Sequence, residues 1–584
     1  MDKNFLLAFA LSIGAIFLYY TLFPPPERPE EPVAEKKIVE QLENNGGSAV
    51  KSAGSTSIQT PVMSESEAKA RKIITVDNDV YSIEFDSLDG TLKSFWLKNY
   101  KHSQPSHFDV KNWAVSLFNG EEYKQPDYDA NRLVNMAGDL SVKNRIWKVK
   151  TKEGEKSINF HASVDQLKVR GGSESLALSA VYPSGMEVYK TFTFHPGSYL
   201  IELEMKIVNR SGVSHQFSPS IEFGAGSVAI GNESLPKPKV GVAYVEDSFE
   251  TYDGDDVEQV LKLSNIGWAG VADTFFVTAV KTVDGSSFNA EYHPVESVFR
   301  GDKIMIPKLE YVDNTMSLMN NQEYNRKFQL YVGPKVQAEM EKFSNSFPAA
   351  MDLGWFDFLA HPLLTLLRWI QGYVVNWGVA IIILTFIVRI VMFPLAFTGM
   401  KSMRKMSQLN PQIKAIREKY KKNKERMNKE IMQFYSQNKI NPMGGCLPMV
   451  LQIPIFIALY QALLPAIELR HNPFIFWMTD LSAYDYTYIL PILMGVSMFV
   501  QTSLTPNPAM DATQAKMMKW MPVMMVFFFL SMPSGLVLYW VVSNMFSIVQ
   551  QLLINRVLPA PVVVVKGKVL QGKAKDSKGK GKKK

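Results

Sequence analysis

The chain has 584 residues and a formal charge of +7, from 63 Lys and Arg against 56 Asp and Glu. Its single cysteine, Cys446, excludes an internal disulfide, so a large exported domain must hold together by its core alone. A mean hydropathy near zero conceals two materials: residues 24 to 345 are mixed and polar, whereas residues 350 to 556 are dominated by apolar runs rich in Met, Phe and Trp.

Phe5 to Phe23 is apolar, follows Lys3 and runs into Pro24-Pro25-Pro26 without a small-x-small cleavage site. Residues 1 to 23 therefore read as an uncleaved transmembrane anchor rather than a removed signal. Residues 24 to 72, rich in Pro, Glu, Gly and Ser, cannot bury a core and read as a disordered tether. From 73 to 345 the pattern becomes one of strands. Tyr81, Ile83 and Phe85 alternate with polar residues, as do Ile201, Leu203, Met205 and Ile207, and later Phe328, Leu330 and Val332. Period-two alternation punctuated by Gly and Pro predicts a mostly antiparallel all-β sandwich with polar outer faces.

Residues 350 to 374 combine Trp355, Phe356, Leu363, Leu367 and Trp369 with Asp357, His361 and Arg368, and carry Pro362 in the middle. This suits a helix lying in the headgroup region better than a span. Five candidate spans follow within residues 375 to 556: about 377–397, 447–464, 488–504, 517–532 and 536–554. The fourth is short for a hydrocarbon core of ~30 Å. Pro533-Ser534-Gly535 makes the last two a hairpin. The 399–441 loop holds twelve Lys or Arg against three Glu; residues 557–584 read as a basic disordered tail, with nine Lys against one Asp in 566–584. By the positive-inside rule both are cytoplasmic. Counting the anchor gives six spans, both termini inside, and the sandwich outside, which in a bacterium means the periplasm.

Catalysis finds little to work with. The five later spans contain no Asp, Glu or His in their apolar stretches, so no carboxylate pair, metal-ligand set or proton relay lies at depth. The eight His are scattered without ligand spacing, and no nucleotide fingerprint occurs. The chain is expected not to be an enzyme and to need no metal or cofactor. Instead, Arg389 stands in the apolar run Trp377 to Pro394. A guanidinium in hydrocarbon costs from ~3 to above 10 kcal/mol, a cost accepted mainly where the charge lines a wet cavity. The alternative is snorkelling toward the interface near Pro394. Thr385 precedes Arg389 by one turn, Gln452 lies inside the second later span, and Ser543, Asn544, Gln550 and Gln551 follow Tyr539 and Trp540 on the last. These groups suggest a wet groove; interhelical hydrogen bonding alone is the plainer account.

In the basic loop, Met400, Met403, Met406, Leu409, Ile413, Ile416 and Tyr420 recur at helical spacing, and after Lys421-Lys422-Asn423-Lys424 so do Met427, Ile431, Phe434 and Tyr435. The expectation is a hairpin of two helices with basic outer faces. The two stripes either pack on each other or offer an adaptable contact surface of Met400, Met403, Met406, Lys421 and Lys422.

Several runs resemble the YidC family of bacterial membrane protein insertases, related to Oxa-type proteins. They are Ile381 to Arg389, Asn441 to Pro448, Gln452 to Tyr460, Asp480 to Ala483, Tyr488 to Gly495 and Pro533 to Tyr539. The resemblance implies a five-span insertase core with a cytoplasmic hairpin, joined to a periplasmic β-supersandwich in the inner membrane. It also implies a groove open to the cytoplasm and to lipid, with Arg389, Thr385, Gln452, Tyr539, Trp540, Ser543 and Asn544 lining it. Its implied partners are nascent membrane proteins, the Sec translocon, the ribosome, the signal recognition particle receptor and anionic lipids. Two rivals stay open: a small-solute transporter, although neither inverted repeats nor broken midplane helices are evident, and carbohydrate binding by the sandwich.

Overall fold

The computed structural model describes residues 72–101, 133–137, 149–150, 158–224, 240–254, 256–257, 259–299, 302–438, 447–504, 512–557, 563–565 and 568–570. The expected anchor at 1–23, the tether up to residue 71, Cys446, the Asn441-to-Cys446 run and most of the tail lie outside them.

Alternation of apolar and polar residues produces the expected sandwich. A five-stranded sheet runs in spatial order Leu133–Asn135, Thr91–Lys101, Tyr81–Asp86, Ile73–Asp77, Gln166–Lys168. All its pairings are antiparallel except the last, where Thr75 faces Gln166 in parallel. A 13-stranded sheet is built around Phe276–Thr282, Glu323–Pro334, Leu200–Asn209, Met186–Phe194 and Glu174–Val181, all antiparallel. The two sheets meet through aromatic rings, with Phe85 5.0 Å from Phe192 and Tyr81 6.5 Å from Phe194. Ile201, Leu203, Met205 and Ile207 face inward while Glu202 is exposed. Each such apolar side chain contributes about 1.5–3 kcal/mol on burial. The domain does not stop at residue 345. Phe347 inserts between Trp268, at 5.0 Å, and Phe343, at 4.6 Å, and Trp268 Nε1 donates to Ser346 Oγ at 2.9 Å.

One core position breaks the alternation. In Met186–Phe194 the inward row reads Met186, Val188, Lys190, Phe192, Phe194, and Lys190 is fully buried. Its ammonium donates to the carbonyls of Asp89 at 2.8 Å and Gly90 at 2.5 Å, and lies 4.5 Å above the Phe160 ring. Asp89 and Gly90 both have positive φ, so this tight turn aims two carbonyls inward that only a donor from the core can satisfy.

Nine helices complete the described residues: α1 (Gln337–Phe343), α2 (Asp357–Gln371), α3 (Trp377–Gln408), α4 (Asn410–Lys419), α5 (Lys424–Gln437), α6 (Leu447–Leu463), α7 (Ile489–Leu504), α8 (Ala512–Phe529) and α9 (Ser534–Val557). By length and composition Trp377–Ser402 and Ser534–Ile554 suffice to cross a bilayer, and Gln452–Leu463, Ile489–Leu504 and Trp520–Phe529 are shorter apolar helices. Two expectations need correction. Helix α3 does not end at Phe397 but runs through Pro394 to Gln408, so Met400, Met403 and Met406 continue it. The break comes at Leu409, because Pro411 fits only the first turn of a new helix, where its missing N–H is no loss. Within the tail, expected to lack structure, the β-branched Val563–Val565 pairs with Lys568–Leu570.

Lys190→Met would leave two buried carbonyls short of a donor, at a cost of about 1–3 kcal/mol. The thermal midpoint of the sheet signal in the full chain is expected to fall by several degrees. An unchanged midpoint would show that the turn finds another donor.

Candidate functional site

The polar residues of the apolar region converge on three helices. From α3, Arg389 donates through Nε to Ser543 Oγ at 2.9 Å, and its Nη2 reaches the same oxygen. Ser543 lies one turn beyond Tyr539 on α9. Gln452, on α6, donates Nε2 to the Tyr539 hydroxyl at 2.7 Å. The result is two polar pairs one turn apart on α9, Gln452–Tyr539 and Arg389–Ser543. A guanidinium carries five N–H donors. Among the described residues Arg389 spends them on one hydroxyl and pairs with no carboxylate.

The expected site residues are not equally placed. Arg389, Gln452 and Trp540 are half-buried, while Tyr539, Ser543 and Asn544 are buried. Thr385 is wholly enclosed, and its hydroxyl donates to Ile381 O of its own helix at 2.7 Å. It lies beneath the arginine rather than on an open wall. Asn544 donates to Ser497 Oγ at 3.0 Å, bracing α9 against α7. Ser497 was not among the expected residues, although a serine within the apolar run Met494 to Val500 was a legible signal. Trp540 packs edge-on against Phe456 at 4.6 Å and against Phe529 at 5.1 Å, so it closes the α6–α8–α9 junction. Met406 is buried with Leu409, Ile413 and Tyr435, so it joins α3 to α4 and α5 and is not a free contact residue. Met400 is half-buried and Lys421 and Lys422 are exposed, while the Met403 side chain lies outside the described set.

At the other end of α9 the chain is sealed. Gly535 N donates to Leu481 O at 2.8 Å, and Ser534 donates to Ala483 O from N at 2.7 Å and from Oγ at 2.8 Å. The loop presenting these carbonyls is held by Asp480, which accepts from Ser482 N and Oγ at 2.8 Å each. Burial pushes the Asp480 carboxyl above its ordinary range, opposed by those hydrogen bonds and by the Arg470 charge. Arg470 Nη1 donates to Lys101 O at 2.8 Å and its guanidinium stacks near Phe275 and Phe276, tying this loop to the sandwich. Arg368 bridges Glu468 Oε1 at 2.8 Å and Gln337 Oε1 at 2.9 Å. No group of His, Cys, Asp and Glu suited to a metal ion occurs among the described residues.

Two family profiles match the chain: one described as 60Kd inner membrane protein over residues 369–560, the other as YidC periplasmic domain over residues 73–366. The membrane protein insertase YidC of Geobacter metallireducens is 35% identical over 96% of this chain and 99% of its own length. That of Vibrio atlanticus is 37% identical over 84% of this chain and 88% of its own. A crystal structure of an active YidC insertase with its first transmembrane domain resolved covers 82% of this chain and 92% of that one, at 18% identity and a TM-score of 0.35.

The differing burial of these residues makes a graded prediction about water access. With Cys446 replaced, single cysteines at 389 and 452 are expected to react with an impermeant thiol reagent, and cysteines at 385 and 544 to stay inert. Labelling at 385 as fast as at 389 would place Thr385 on the open surface after all.

Proposed function

The chain belongs to the YidC family of membrane protein insertases, inner-membrane proteins with a periplasmic domain that act on nascent membrane proteins, and from that premise we propose that Arg389 is the electrostatic centre of its insertion groove. The supporting observation is a half-buried guanidinium among apolar helices, whose charge is met by the Ser543 hydroxyl and by no carboxylate among the described residues. A hydroxyl satisfies some donors yet leaves the net charge available. The charge then attracts an acidic or polar segment of the incoming chain, whose passage through hydrocarbon costs several kcal/mol per unsatisfied group.

The groove opens to the cytoplasm and to lipid, with Gln452 and Trp540 at its accessible side and Tyr539, Ser543 and Asn544 behind it. Six spans, the 1–23 anchor included, place both termini in the cytoplasm, as the basic 399–441 segment and tail require. The apolar part of α8, Trp520–Phe529, is about 15 Å long at the helical rise, half a hydrocarbon core of ~30 Å. A bilayer thinned beside it shortens the dry path, and partitioning of the substrate's own apolar helix supplies the free energy. Helices α4 and α5, with Lys421 and Lys422 exposed, form the cytoplasmic hairpin. Together with the basic tail it meets the ribosome, the signal recognition particle receptor or anionic lipid, and the chain works alone or with the Sec translocon. The transporter and carbohydrate readings gain nothing from the relatives.

Arg389→Lys is expected to keep most insertion activity and Arg389→Ala to lose roughly tenfold or more, most for substrates with acidic translocated segments, since a charge-assisted contact is worth about 1.5–3 kcal/mol. In vitro insertion of such a substrate into proteoliposomes reads this out, and undiminished insertion by the Ala variant removes the electrostatic role. Deleting residues 566–584 is expected to weaken ribosome co-sedimentation and flatten its salt dependence, because fewer phosphate counterions are released. The same slope with and without the tail would place the ribosome contact elsewhere.

A further inference from the structure

The loop Pro473–Met478 puts a phenylalanine where its own backbone disfavours one. Phe476 has φ of 52° and is 86% exposed. Met478 N donates to Ile475 O at 3.1 Å, so Ile475–Met478 is a β-turn with Phe476 at its first central position. Positive φ there and not at Trp477 is the pattern of a type II′ turn, whose first central residue is normally glycine. A bulky aromatic in that region is strained, and here no burial within the protein compensates.

The turn is anchored on both sides. Asn376 Nδ2 donates to Pro473 O at 3.3 Å and Phe474 O at 3.0 Å, while its Oδ1 caps α3 by accepting from Gly378 N at 2.8 Å. Phe474 sits so close over Gly378 that a Cβ there would strike its ring. On the far side Trp477 Nε1 donates to Asp485 Oδ2 at 3.2 Å, and the Phe476 and Trp477 rings stack at 6.1 Å. Asn376 therefore pins the turn to the first residues of α3, at the end remote from Arg389, with Ile475 also exposed beside Phe476.

We infer that the Ile475–Phe476 tip is a lipid-binding wedge that enters the outer leaflet at the headgroup–acyl boundary beside the start of α3. The inference rests on reading α3 as a span, since that fixes the depth of the turn clamped to it. Lipid is the occupant because the tip continues the apolar surface of a membrane-crossing helix and presents an aromatic at the level where aromatic side chains favour the interface. Acyl contact supplies the burial that the strained turn lacks in the protein.

The test uses the full chain, with Phe476→Cys on a Cys446→Ser background, nitroxide-labelled in phosphatidylethanolamine–phosphatidylglycerol vesicles. A second label at Lys262, whose side chain is 76% exposed on the sandwich, serves as the aqueous reference. At 476, collisions with oxygen are expected to dominate those with a water-soluble nickel chelate, with the reverse at 262. Matching aqueous ratios at both sites would overturn the wedge. In detergent, Phe476→Gly is expected to melt at the same temperature or higher, because glycine suits the positive φ. A clear fall would show that the ring packs within the protein and would equally overturn the proposal. Neither result depends on the Arg389 variants, so failure of the wedge and failure of the groove reading are separable.

Discussion

An arginine held between apolar helices, with no counter-ion among the described residues, is the constraint on which the rest depends. Desolvating a guanidinium costs from ~3 to above 10 kcal/mol, so the helices around Arg389 must return donors' partners, water access or both. Ser543 returns part of that by a direct hydrogen bond, and the Gln452–Tyr539 pair adds polarity one turn away. A carboxylate in the place of Ser543 would satisfy the charge more fully and would also neutralise it. The structure keeps the neutral partner, so the charge is not cancelled as it would be in a structural ion pair.

The start of α9 is held by backbone rather than side-chain bulk: Leu481 and Ala483 lend carbonyls to Gly535 and Ser534. The same loop carries Arg470, bonded to Lys101 O of the sandwich, and Glu468, paired with Arg368 of α2. One segment of some twenty residues therefore closes the helical region and docks the β domain on it. This explains why so many of its polar groups, Arg470, Asp480, Ser482 and Asp485 among them, are buried.

Sandwich, helices and the central arginine were legible in the sequence because each rests on a local rule. Period-two alternation forces a strand such as Leu200–Asn209 to expose Glu202 and bury Leu203, whatever its partner. Apolar length alone marks α3 and α9. A lone Arg in such a run is informative without any contact being known. The end of α3 was not legible in the same way: the span was expected to stop at about 397, whereas the helix runs on to Gln408 and the break falls before Pro411.

What the tertiary structure alone decided is which polar group meets which. Thr385 and Gln452 look equivalent in sequence, yet one turns back on Ile381 O and the other crosses to Tyr539. Met406 reads as a contact residue until Leu409, Ile413 and Tyr435 enclose it. Lys190 sits in an apolar row because a turn 100 residues earlier aims two carbonyls at it. These outcomes depend on pairs far apart in the chain, whose distance is set by packing of whole elements. Local periodicity carries which face a residue takes, and it carries no information about what stands opposite.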